Sequence, residues 1–217
     1  MEISNTSGSR SSLSRSDMER SIEPGPETPQ QTWTMPVQAF KAIHFVPRGC
    51  EDGIRRETAS EAYAVAHELL PAPGGNHWCF YIGLSNKRFV QIDATPSGIA
   101  GSIMPGGQKA YVVVSELTDL FSQEQVQYVC KLSTRRDVTV GDFLDAITQH
   151  GREKYEFSDA ARGCRYWTMT QIDLFLQLGL ISDRAEAEQA KDDILVEYDD
   201  RKPTGNRLPL TVGQYYY

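Results

Sequence analysis

Three residues of this chain have the types and spacing that a thiol nucleophile needs. His77 opens an alternating apolar run at Asn76-His77-Trp78, and Asp93 lies in the next such run. Cys164 follows Gly163 at the head of a helical pattern, Gly163-Cys164-Arg165-Tyr166-Trp167, some 87 residues after His77. A strand-borne imidazole can take the thiol proton, and the positive end of a helix dipole can hold the resulting thiolate. A carboxylate on the neighbouring strand can fix the ring and its tautomer. The expected roles are Cys164 as nucleophile, His77 as base and Asp93 as orienter. The plain alternative is a structural set, in which Cys164 packs beside Trp167 as a small buried hydrophobe.

Other residues near these positions could touch a substrate. Gln91 shares the predicted face of Asp93. Tyr166 and Trp167 could wall a pocket, although aromatic core is the commoner role, and Arg165 or Arg162 beside the cysteine would favour its thiolate. His67 and His150 read as structural histidines, the first in a run of helical composition and the second at a helix end. Gly101, Gly106 and Gly107 form no phosphate-binding glycine pattern. There is no HExxH, no CxxC and no paired His/Cys set, so neither a metal nor another cofactor is expected.

The elements that must position these residues can be read from periodicity. Lys41 to Pro47 predicts a first strand, and residues 57–70 (ETASEAYAVAHELL) have helical composition. Pro-Ala-Pro-Gly-Gly at 71–75 breaks the chain. Residues 77–82 and 88–95 then form a hairpin around Gly83-Leu-Ser-Asn86. Period two puts Trp78, Phe80 and Ile82 with Val90 and Ile92 on one face. His77, Cys79 and Tyr81 fall with Phe89, Gln91 and Asp93 on the other. Strands are expected at Ala110–Val114 and Val126–Lys131. A helix capped by Asp137 or Thr139 and stopped by Gly151 follows. Residues 164–178 predict a helix ended by Gly179, with an acidic helix at 183–195. Strands followed by helices predict an α+β fold: an antiparallel sheet with packed helices.

Composition bounds the function. With 217 residues and 40% apolar content, the chain can build one core plus tails. The expected division is a disordered Ser/Pro/Glu/Gln-rich tail (1–34), an α+β catalytic-like domain (35–182), and an acidic helix with a C-terminal tail (183–217). No apolar run reaches the ~18 residues of a membrane span, and no secretory h-region is present, so a cytoplasmic protein without membrane contact is expected. The net charge is −7, with eight acids and four bases between residues 183 and 202. That sign disfavours diffuse nucleic-acid binding but allows a local patch from Lys87, Arg88, Arg162 and Arg165.

The segments NHWCFYIGLSNKRFVQIDATP and GREKYEFSDAARGCRYW resemble a family of fungal proteins sharing an NHW…D…GCRxW signature, over roughly residues 37–182. A more distant similarity is to the circularly permuted papain-like group that includes relatives of lecithin:retinol acyltransferase. There a strand of form HWxxYxG carries the base histidine and a later helix begins with the nucleophilic cysteine. His77 to Gly83 and Cys164 to Trp167 match those parts, while Asp93 stands where the acyltransferases often have a second histidine, which departs from an acyl-lipid enzyme. The chain also looks like the fungal arginine-containing cyclodipeptide synthases. That resemblance implies aminoacyl transfer from aminoacyl-tRNA in secondary metabolism, with Asp93 or Glu156 pairing with the arginyl guanidinium and Lys87, Arg88 and Arg162 meeting the tRNA. A cysteine hydrolase and a non-enzymatic interaction domain are the alternatives.

Overall fold

The computed structural model describes residues 42–71, 74–100 and 103–216. The expected tail at 1–34, and Lys41 of the expected first strand, lie outside them. The strands are β1 (Ile43–Val46), β2 (Glu61–Leu70), β3 (Gly75–Gly83), β4 (Arg88–Ala100), β5 (Gln108–Thr118), β6 (Tyr128–Leu132), β7 (Tyr155–Phe157), β8 (Val196–Asp199), β9 (Lys202–Arg207) and β10 (Gln214–Tyr215). The helices are α1 (Glu51–Arg56), α2 (Val140–Gln149), α3 (Cys164–Gln177) and α4 (Arg184–Asp193). Eight strands form one sheet in the order β10-β7-β5-β4-β3-β2-β6, with β1 also beside β5, and β8 and β9 form a separate hairpin. All pairings are antiparallel except β1 with β5. The fold is α+β, as the order of elements predicts.

Residues 57–70 correct the sequence reading. They carry β2, the strand between β3 and β6, where helix is expected. Ala62, Ala64 and Ala66 face the main core, while Tyr63 and Val65 enter a second, smaller one. This is period two written in small and large residues. Alanine and glutamate score as helix formers, but the small face lets other elements pack close to the sheet, so tertiary burial overrides propensity.

The hairpin faces follow the alternation. Trp78, Phe80, Ile82, Val90 and Ile92 enter the main core with Phe143, Trp167, Ile172 and Phe175 from α2 and α3. Phe80 and Phe143 each meet Phe175 edge-on, with ring centroids 5.4 and 4.9 Å apart. Cys79, Tyr81 and Phe89 pack on the other face with Leu120 and Val126. Thr139 caps α2 through a reciprocal pairing with Asp142. The C-terminal segment joins the sheet. β10 pairs with β7, the Tyr215 hydroxyl meets Thr170, and Tyr216 lies under the Lys109 ammonium at 4.0 Å. Tyr217 is outside the described residues. Among the described residues no helix is long and apolar enough to cross a membrane.

Candidate active site

The site begins where a strand pair ends. β3 and β4 are in register from Phe80–Ile92 to Gly83–Phe89, and no pairing continues toward Trp78 and Ala94. The N–H and C=O of a strand residue point to the same side, so parting strands leave both groups of Trp78 in need of partners. α3 supplies them. Thr168 Oγ1 donates to the Trp78 carbonyl at 3.2 Å, and the Trp78 N–H faces the Cys164 sulfur and helps to lower its pKa. Residues 164 and 168 are one helical turn apart on one face, as this bridging requires. The first turn of α3 thus docks against the strand end that carries His77.

Gly163 makes that docking possible. Its φ of 142° lies in a region that side-chain-bearing residues rarely adopt, and a Cβ there would collide with the Tyr155 hydroxyl. That hydroxyl donates to the Gly163 carbonyl at 2.9 Å and accepts the Gly213 N–H at 3.0 Å. Tyr155 of β7 therefore ties the helix start to the C-terminal segment. No side chain caps α3, and its first intrahelical bond runs from the Trp167 N–H to the Gly163 carbonyl at 2.9 Å. The preceding N–H groups keep their positive end at the thiol.

The expected triad residues are brought together. His77 Nε2 meets Asp93 Oδ1 at 2.7 Å, both side chains about one-fifth exposed. The ring also interacts with the Cys164 thiol, and with Nε2 held by Asp93 the free nitrogen for a thiol proton is Nδ1. Burial opposes charge on both groups, but their partners win. The Asp93 hydrogen bond and charge, joined by the thiolate, hold the His77 imidazolium well above its ordinary value. The His77 bond and charge, with the Trp78 N–H, bring the Cys164 thiol below its own. The two shifts favour a thiolate–imidazolium pair, with a carboxylate behind the ring. Such a pair can attack a carbonyl carbon and return a proton to the leaving group.

A shallow pocket opens on Cys164 between the end of β2 and the C-terminal segment, with Leu70, Asn76, Arg162, Gly163, Arg165 and Thr211 in its wall. Arg165 is buried there, its guanidinium donating to the carbonyls of Leu208 at 3.4 Å and Pro209 at 2.5 Å. Arg162 lines the same pocket. Asn76 is structural, bonding the His67 carbonyl and both backbone groups of Tyr198 at 2.7 to 2.8 Å.

Several expected site residues stand elsewhere. Lys87 and Arg88 lie at the turn end of the hairpin, about 20 Å from His77 at ~3.3 Å per residue. Arg88 is paired with Glu57 at 3.0 Å and Glu116 at 2.5 Å, so a four-residue basic patch with Arg162 and Arg165 does not form. Trp167 is fully buried, its indole N–H donating to the Arg152 carbonyl at 2.9 Å, and Tyr166 packs against the main core. Glu156 is buried on β7, where its carboxylate accepts the Met104 N–H at 3.2 Å. Gln91 faces the Asp93 side but donates to the Cys79 sulfur at 3.6 Å.

One residue at the site, His67, is not expected from the sequence, and Cys79 lies on the His77 face as the alternation predicts. His67 Nε2 sits 3.3 Å from Cys79 Sγ and 3.0 Å from the Tyr81 hydroxyl, its ring 6.1 Å from that of His77. Burial, then the His77 charge, push its pKa down to about 4. Cys79 is fully buried, and burial raises its thiol well above the ordinary value. The signal for His67 was the Ala-Tyr-Ala-Val-Ala-His alternation, which places it on the His77 face once β2 is read as a strand.

No curated protein and no solved structure matches the sequence. A family model described as a domain of unknown function, DUF7770, matches residues 62–216. That span runs from β2 to β10 and contains His67, His77, Cys79, Asp93 and Cys164 alike. The chain belongs to the DUF7770 family.

Proposed function

We propose that this protein is a thiol-dependent acyl-transfer enzyme. The observation that carries the reading is the His77 ring held by Asp93 at 2.7 Å, with the Cys164 thiol at a helix start lowered by its interaction with that ring. The Cys164 thiolate adds to the carbonyl carbon of the acyl donor. First-turn N–H groups of α3 face the developing oxyanion. The bond to the leaving group breaks, and that group takes the proton from the His77 imidazolium, leaving a thioester on Cys164. An acceptor then gives its proton to His77 and attacks the thioester, and the carbon–sulfur bond breaks to restore the thiolate. Water as acceptor gives a hydrolase; an amine or alcohol gives a transferase.

The test is intact-mass analysis after exposure to small activated acyl esters. A single acyl adduct on Cys164, absent from Cys164→Ala, is expected. Adducts scattered over other residues, or unchanged in that variant, contradict the reading. A narrower form, aminoacyl transfer from aminoacyl-tRNA, draws on Arg162 and buried Arg165 in the wall of the Cys164 pocket. Expression in a bacterial host followed by untargeted analysis of the medium tests it. New arginine-containing diketopiperazines are its expected product.

A further inference from the structure

The face of the sheet that carries His77 holds more donors than a thiol triad uses. The ring nitrogen of His77, the sulfur of Cys79 and a carboxylate oxygen of Asp93 all lie within 4.8 Å of one another. His67 Nε2 stands 3.3 Å from that sulfur on the neighbouring strand. Two imidazoles, a thiol and a carboxylate are the donor types that zinc takes, at ~2.0–2.1 Å for nitrogen, ~2.3 Å for sulfur and ~2.0–2.2 Å for oxygen. Tetrahedral geometry then needs donor–donor separations of about 3.3–3.8 Å. His67–Cys79 at 3.3 Å already meets this, the His77–Asp93 hydrogen bond at 2.7 Å has to open, and the His77, Cys79 and Asp93 donors lie within 4.8 Å of one another. The backbone sets three of the positions, because residues 77 and 79 share a face of β3 and Asp93 lies one residue beyond the last β3–β4 pair, while His67 follows Ala66–Trp78, the last pair before the β2–β3 register shifts. The His77 and Asp93 side chains are each about one-fifth exposed, which leaves a way in for an ion. The Tyr81 hydroxyl meets the same His67 Nε2 at 3.0 Å and must release it for the ion to bind there.

We propose that His77, Cys79 and Asp93, with His67 as the fourth donor, form a zinc site that shares two residues with the Cys164 triad. Zinc binding displaces the proton of the Cys79 thiol and removes the His77–Asp93 hydrogen bond. The bound state then has no imidazole base for Cys164, so metal occupancy and acyl transfer exclude each other. That last consequence rests on the proposed acyl-transfer reading; the site itself does not.

The full chain, stripped with a chelator and titrated with zinc chloride against a chromophoric competitor, tests the site directly. One zinc per chain is expected. Cys79→Ser and His67→Gln should each weaken binding about tenfold or more, and Cys164→Ala should keep it. Cobalt in place of zinc should show thiolate charge-transfer absorption in the wild type and in Cys164→Ala. This arm does not depend on whether Cys79→Ser folds. Failure of the wild type to bind, loss of binding in Cys164→Ala, or unchanged affinity in both His67→Gln and a folded Cys79→Ser overturns the proposal. Iodoacetamide labelling of Cys164 in excess chelator separates the two readings. Fast labelling without zinc affinity sinks the metal site alone, and zinc affinity with an unreactive Cys164 sinks the acyl-transfer reading alone.

Discussion

The two ends of the β3–β4 hairpin have the same alternation and opposite fates. At the turn end the strands stay paired from Phe80 to Gly83, the Leu84 N–H bonds the Arg88 carbonyl at 2.8 Å, and Arg88 is held between Glu57 and Glu116. Phe89 packs there with Tyr63 and Leu120. At the other end the strands part. α3 takes over the backbone of Trp78, and His67, His77, Asp93 and Cys164 gather around the opening. What separates the ends is the partner that replaces a neighbouring strand. Where strand follows strand, the outer face fills with apolar side chains; where a helix start takes the place, a thiol meets a histidine.

That contrast is best broken at the helix start. Cys164→Ala removes the proposed nucleophile, and acyl transfer should fall by about 10⁴-fold or more with the fold intact by circular dichroism. A variant that keeps substantial turnover would put the chemistry elsewhere. Gly163→Ala forces an unfavourable φ and a collision with Tyr155, so a loss of about 2–4 kcal/mol in denaturant unfolding is expected. Thr168→Val keeps the shape and leaves the buried Trp78 carbonyl without its side-chain donor, at a cost of about 1–3 kcal/mol. It should also slow Cys164 alkylation, because the same turn of α3 sets the thiol. At the turn end, Lys87→Glu with Arg88→Glu should change stability by no more than about 1 kcal/mol and leave alkylation of Cys164 unaltered. Slower alkylation in that double variant would show coupling between the ends.

The hairpin was legible because its alternation is long and its faces differ in chemistry. The same pattern places His77 with Asp93, and the glycine before Cys164 marks the helix start. Other features follow from tertiary contacts that one sequence does not display. β2 reads as helix because Ala62, Ala64 and Ala66 count as helix formers until a packed face is known to require small residues. His67 falls out of the site with that error, while Cys79 is placed on the His77 face by the hairpin alternation. Lys87 and Arg88 are adjacent in sequence to a strand that carries the site, but its length removes them from it. β7 and β10 are too short for periodicity to show, and their pairing is fixed by Tyr155 gripping Gly163 and Gly213.

The central claim is that Cys164 is a thiolate because His77 and Asp93 make it one. Its most direct measurement is the pH dependence of Cys164 alkylation by iodoacetamide in excess chelator, with His77→Gln as the comparison. The thiol is lowered and the imidazolium raised, so the reactive pair exists above the thiol's own pKa and disappears as pH falls through it. In the wild type, alkylation should persist well below the ~8.5 of a free cysteine. In His77→Gln the buried thiol loses the bond and charge that lower it, so the midpoint should move to or above that value. A wild-type midpoint near ~8.5 that His77→Gln leaves in place would contradict the account.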